Sequence, residues 1–185
     1  MERDDVKFFL SRSRMAATAA VAACASLLMS AAPAQAATFK VTDNCDVPWI
    51  SCSFGDLTLT YNSSAYLKSH PGETTGKARF YGNVSNYEGT SQYQGSTLST
   101  YRYVFGDDGY EYPGGYSAPG KGQYVKNNAA AMWNCAPADN YRVYYNSSYA
   151  GASQYLRHWN GYEADCPKAD LNSTLKNQNA SQHFA

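Results

Sequence analysis

The chain has 185 residues, with 15 Lys and Arg balanced by 15 Asp and Glu, and it is 44% hydrophobic and 15% aromatic with 17 Tyr. A balanced charge provides no basic field for phosphate backbones, which argues against nucleic acid as a partner. The length suits one domain of ordinary size with a real core, not two.

Residues 1–36 read as an export signal. Arg3, Lys7, Arg12 and Arg14 make a basic start, Met15 to Met29 is an Ala, Val and Leu stretch, and Ala34-Gln35-Ala36 fits a small-residue cleavage site. The apolar part is shorter than the roughly 20 residues of a membrane span. Val21-Ala22-Ala23-Cys24 resembles the box before a lipidated cysteine, but apolar residues continue past Cys24 and the cleavage site follows it, so a removable signal is preferred. Cleavage after Ala36 leaves residues 37–185, 149 in number, with 7 Lys and 4 Arg against 12 Asp and Glu, a net charge of −1. The expected product is secreted, extracellular, monomeric and free of the membrane.

Four of the five cysteines stay in that product: Cys45, Cys52, Cys135 and Cys166. An even number in an exported chain implies disulfides, with three possible connectivities. The one that joins sequence neighbours, Cys45 with Cys52 and Cys135 with Cys166, is preferred. A zinc site is not, because there is no CxxC pair and His70, His158 and His183 are scattered.

Alternating segments at Leu57 to Tyr61, Ala78 to Tyr81, Tyr101 to Phe105 and Tyr141 to Tyr145 are each followed by Asn, Gly or Ser, and predict short strands. In "YRYVFGDDGYEY", Gly106 to Gly109 separates two aromatic arms, which predicts a hairpin. Residues 89–122 end in "YPGGYSAPGKG" and read as a hairpin with extended loops, too aromatic for a solvated tether. Asn127 to Trp133 has room for one helical turn, and long helical patterns are absent. Short strands with frequent turns make the expected class all-β, a sandwich or barrel.

Internal repeats organise the domain. "TYNSSAY" at 60–66 recurs as "YYNSSYAG" at 144–151, and "VKNNAAAMW" at 125–133 recurs as "LKNQNASQHF" at 175–184. Residues 37–185 therefore read as one domain of two units, about 52–133, with an insertion at about 89–119, and about 141–184. In the second unit Tyr144, Tyr149 and Gly151 have the spacing of a strand folding back over its own sheet, with two rings packed across the bend and glycine taking a backbone angle that a Cβ disfavours.

That spacing resembles the βγ-crystallin Greek-key motif. With "CSFGDLTLTYNSS", "GKGQYVKNNAAAMWN", "YRVYYNSSYAGASQYL" and "LNSTLKNQNASQHF" in that order, the chain is similar to the secreted actinobacterial peptidase-inhibitor I36 family over most of residues 52–184, residues 89–119 excepted. The resemblance implies a disulfide-stabilised βγ-crystallin-like sandwich of two Greek-key units and inhibition of metalloproteases. It rests on Cys52, on Tyr61-Asn62 and Tyr145-Asn146, and on Asn127-Asn128-Ala129 and Asn179-Ala180-Ser181. Where Gly151 closes the second unit, the first has Lys68, so the Tyr61 to Tyr66 hairpin must bend differently. The family's calcium stretches map to Asn127 and Asn128, and to Asn177 and Ser181. Neither offers a carboxylate, so only weak calcium binding is expected, and Asn side chains capping their own turns is the preferred reading. No other cofactor is implied.

Catalysis is not expected. Asp107, Asp108 and Glu111 read as turn formers, no G-x-S-x-G or H-E-x-x-H is present, and His158 with Asp165 has no further support. The expected function is inhibition of an extracellular protease, a metalloprotease by resemblance, through a preordered loop that loses little entropy on binding. The candidate loop is Cys135, Ala136, Pro137, Ala138 and Asp139, pinned at Cys135. Two alternatives are a carbohydrate or cell-surface binding module, motivated by "YEYPGGY", and a crystallin-like structural protein without a specific ligand.

Overall fold

Alternating runs bounded by Gly, Asn and Ser become strands, and no apolar stretch keeps a helical period long enough to compete. The computed structural model describes residues 36–52, 57–107 and 117–185. In chain order its elements are β1 (Ala37–Val41), β2 (Leu57–Thr60), α1 (Ser64–Ser69), β3 (Lys77–Phe80), β4 (Thr90–Gln94), β5 (Thr97–Tyr103), β6 (Ala131–Asn134), β7 (Tyr141–Asn146), β8 (Ala150–Leu156), β9 (Lys168–Asp170) and β10 (Ser181–Phe184). A 3₁₀ turn at Asn44–Asp46 follows β1. These strands make three sheets, ordered β3-β2-β6-β9, β10-β7-β8 and β1-β5-β4.

The first two sheets contain the repeats, and they repeat in geometry as well as in sequence. Thr60 pairs with Ala131 across β2 and β6, as Tyr144 pairs with Ser181 across β7 and β10. Asn127 N–H donates to Asn179 O at 2.8 Å, and Asn177 N–H donates to Ala129 O at 2.8 Å. Asn127 (φ 63°) and Asn177 (φ 58°) both occupy the left-handed region, which Asn tolerates better than most residues. Each half also lends backbone to the other's sheet. β9 of the second half pairs with β6, while Val84 of the first half bridges Gln182 of β10.

Between these sheets lies an apolar core that includes Leu57, Leu59, Phe80, Met132, Val143 and Leu175. Phe80 packs on Tyr87 and Tyr103 at ring distances of 5.0 and 5.1 Å. Gln182 is buried within it and fully engaged: its amide accepts from the Tyr87 hydroxyl at 2.9 Å and donates to Gly82 O at 2.8 Å. The Tyr141 hydroxyl in turn accepts from Gly82 N–H at 3.0 Å.

β5, which contains Tyr101 to Tyr103, forms a hairpin with β4 around Gly95 (φ 62°). The 108–116 part of the expected hairpin lies outside the described residues. On its other edge β5 pairs with β1 in parallel, Phe39 stacking on Tyr101 at 5.0 Å. Asn127 to Trp133 is a turn leading into β6, because Ala131 to Trp133 find strand partners on both sides. In the first half, the segment after Tyr61 becomes α1 where a folded hairpin stands in the second. Ser63 caps it by accepting from Tyr66 N–H at 3.1 Å, and the Asp170 carboxylate accepts from Ser64 and Ala65 N–H at 2.6 and 3.1 Å.

Burial pushes the Tyr103 phenol from its ordinary 10.0 up to about 12, and burial also holds Tyr87 well above its ordinary value. Above pH 10 the folded chain therefore keeps protons that the unfolded chain releases. That stabilisation is complete below the ordinary tyrosine value and is lost as pH rises through the folded values. Thermal melts should fall steeply across this alkaline window, and ultraviolet titration should show phenolate from these two residues appearing together with unfolding. Tyr103→Phe is expected to flatten the decline.

Candidate functional site

β6, β7, β8 and β9 converge at one end, where two loops leave them: residues 135–140 between β6 and β7, and residues 157–167 between β8 and β9. Cys135 and Cys166 are disulfide-bonded across the pair, with Cα atoms 4.9 Å apart, and Cys45 is bonded to Cys52 near β1. The even cysteine count is thus consumed by links between sequence neighbours, and two disulfides suit an oxidising compartment. No helix among the described residues is long and apolar enough to cross a membrane.

A buried amide holds both loops. Asn134 Nδ2 donates to Asp139 O at 2.9 Å and to Arg157 O at 3.0 Å, while its Oδ1 accepts from Ala136 N–H at 3.0 Å. Trp159 N–H donates to Ala136 O at 2.9 Å. Asn140 Oδ1 accepts from His158 N–H at 2.8 Å and lies 2.9 Å from His158 Nδ1. The sequence candidate 135–139 is therefore held by this joint through Ala136 and Asp139. Ala136 is buried, Cys135 and Asp139 are half-buried, and Pro137 with Ala138 are the exposed residues.

The longer loop projects instead. Trp159 Nε1 donates to Glu163 O at 3.1 Å, Tyr162 N–H donates to Asn160 Oδ1 at 3.0 Å, and the Arg157 guanidinium pairs with the Glu163 carboxylate. Gly161 supplies a left-handed step (φ 77°) between Asn160 and Tyr162. At the tip, Tyr162 is 95% exposed. Cysteine spacing carries no signal for this residue, yet Asn160-Gly161 is a strong turn dipeptide and marks an exposed tip.

The remaining sequence candidates are dispersed. Tyr144 and Tyr149 meet edge-on at 6.1 Å, and a Cβ at Gly151 (φ 79°) would lie 2.9 Å from the Asn146 amide. Ser181 is buried, its hydroxyl donating to Asn146 O at 2.7 Å and accepting from Tyr149 N–H at 3.1 Å. Asn128 donates to Tyr124 O at 2.9 Å, and Asn179 Oδ1 accepts from Ala129 N–H at 3.0 Å. These side chains pin turns. Among the described residues no group of three or more His, Cys, Asp or Glu is placed to hold a metal ion. His158 engages Asn140, whereas Asp165 pairs with Lys168 at 3.4 Å, so these contacts do not join the two as a dyad. Asp107 pairs with Lys121, while Asp108, Glu111 and "YEYPGGY" fall outside the described residues.

Comparison with protein-family models, with curated proteins and with solved structures finds no match.

Two substitutions separate the hydrogen-bonded joint from the covalent one. Asn134→Ala leaves Ala136 N–H and two carbonyls without their partner and should cost about 2 to 4 kcal/mol in denaturant melts. Replacing Cys135 and Cys166 together by Ala opens a link of sequence separation 31. In the chain-entropy model it should cost about 3 to 4 kcal/mol. Proteolysis should then cut first within residues 157–165.

Proposed function

We propose that this protein is a secreted, monomeric, non-enzymatic inhibitor of extracellular proteases, with metalloproteases as the target class. The observation that carries this reading is the pair of loops at residues 135–140 and 157–167, stapled by Cys135–Cys166 and clamped by Asn134, with Tyr162 almost wholly exposed at its tip. An inhibitor must offer a segment to the protease cleft already ordered, so that binding costs little side-chain and backbone freedom. A tethered loop with one projecting aromatic meets that demand, and aromatic side chains are favoured anchors at such contacts. In this reading Tyr162 is the anchor and Pro137-Ala138 form the adjoining rim. Metalloproteases enter through the likeness to the I36 inhibitors. That likeness is supported further by two repeat-related sheets, each receiving backbone from the opposite half, as expected of two interlocked Greek-key units of βγ-crystallin type. Export rests on the signal-like residues 1–36 and on the disulfides.

The test is a titration of the disulfide-intact protein against thermolysin-like metalloproteases and, in parallel, serine proteases, following residual peptide hydrolysis. Stoichiometric inhibition of a metalloprotease is expected, with Tyr162→Ala weakening it about 30-fold or more and leaving the melting temperature unchanged. An absence of inhibition across the panel would overturn the function, and full potency in the variant would overturn the anchor.

A further inference from the structure

The repeats that organise the chain also build a second feature, away from the stapled loops. The turn at Tyr61, Asn62 and Ser63 faces Lys176 and Asn177 across a groove of about 250 Å³. Its counterpart at Tyr145, Asn146 and Ser147 faces Lys126 and Asn127 across a groove of about 270 Å³. Each groove combines the Tyr-Asn-Ser turn of one half with the Lys-Asn segment of the other, and Asn177 lines both, so the two meet there. Each alone is smaller than the roughly 300 Å³ at which small-molecule sites begin, so an extended ligand would reach into both across Asn177.

The lining narrows the choice of ligand. No carboxylate lines either groove, so a divalent cation would lack the charge its binding depends on. Amides, hydroxyls and lysines give an apolar ligand little surface. Two lysines are also too few for a nucleic-acid backbone, and Lys126 is paired with Glu88 at 3.4 Å.

What the furrow offers is hydrogen-bonding capacity between aromatic rings. Asn127, Asn177 and Gln178 are exposed, and their side-chain amides make no hydrogen bond among the described residues. Each amide carries two donors and an acceptor. Asn127 and Asn177 hold matching left-handed conformations, a sparsely populated state that recurs at binding sites. Tyr66, 38% exposed with His70 stacked on it at 4.1 Å, lines the first groove, and Tyr145, 37% exposed, lines the second.

We propose that this furrow is an oligosaccharide-binding site, in which Asn127, Asn177 and Gln178 bond to sugar hydroxyls while Tyr66 and Tyr145, one in each groove, stack on ring faces. A pyranose presents both surfaces at once: hydroxyls around its edge, which pair with amides as donors and acceptors, and a C–H face, which packs on an aromatic ring. The site is independent of the protease-directed loops.

Amide chemical-shift mapping by NMR on the intact, disulfide-bonded protein tests it, with chitohexaose, cellohexaose and a galacturonate hexamer as probes and calcium chloride as a separate arm. At least one sugar should shift residues 61–66, 126–128, 145–147 and 176–178 in a saturable manner. Asn177→Gly keeps the left-handed backbone while deleting the amide, and Tyr145→Ser deletes a platform at an exposed position. Each should weaken the fitted affinity about tenfold with little change in melting temperature. The proposal is overturned if all three sugars leave the spectrum unchanged, if their shifts fall outside the furrow, or if calcium alone moves these residues.

Discussion

Gln182 is the polar group on which the core depends. Its side chain is buried, accepts from Tyr87 and donates to Gly82, and its backbone exchanges two hydrogen bonds with Val84 at 2.9 and 3.0 Å. The side-chain partners lie 95 and 100 residues earlier in the chain. A buried donor or acceptor left without a partner costs about 1 to 3 kcal/mol, so a wrong alignment of the two halves would orphan several groups at once. The apolar side chains around it favour compaction in any arrangement. This amide network distinguishes the native arrangement from near alternatives that bury similar area.

From that junction outward, the molecule separates a rigid interior from two presented surfaces. At one end of the strands, Asn134 serves the role in the loops that Gln182 serves in the core: one buried amide holds backbone from two segments. The disulfide then limits what the loops can do when they open. Around the furrow, Asn128 and the buried Asn179 are committed to holding turns, while Asn127, Asn177 and Gln178, which line it, are not. Similar residue types thus divide between architecture and availability, and only burial and partners tell them apart.

Much of the fold was legible in the chain. The repeats located the equivalent turns, since the same Lys-Asn pattern demands the same left-handed step at Asn127 and Asn177. Alternation located β2, β3 and β7, and the hydroxyl and amide side chains were readable as turn caps. The β1–β5 pairing was not, because a parallel pair has no short connecting turn to announce it and its register is fixed by contacts such as Phe39 on Tyr101. Nor was α1, whose N-terminus depends on Asp170, far away in sequence. At the candidate site, cysteine spacing reports where a staple lies and not which side of it faces solvent, so the division of residues 135–139 into a buried Ala136 and an exposed Pro137-Ala138 was not legible. The Tyr162 tip was written in Asn160-Gly161, a signal easily lost in a chain with many such turns.

The placement of β10 has a consequence for how the molecule comes into being. This strand follows Tyr87 and Gly82 by 95 and 100 residues, yet it completes the β10-β7-β8 sheet, supplies the partner for Val84 and carries the amide between Tyr87 and Gly82. A chain emerging from its amino terminus can collapse and form the β4–β5 hairpin early, but it cannot reach its final packing until residues 181–184 arrive. Maturation is therefore gated by the arrival of β10, and a chain lacking residues 181–184 exposes aromatic surface from both halves to whatever proteolytic surveillance surrounds it.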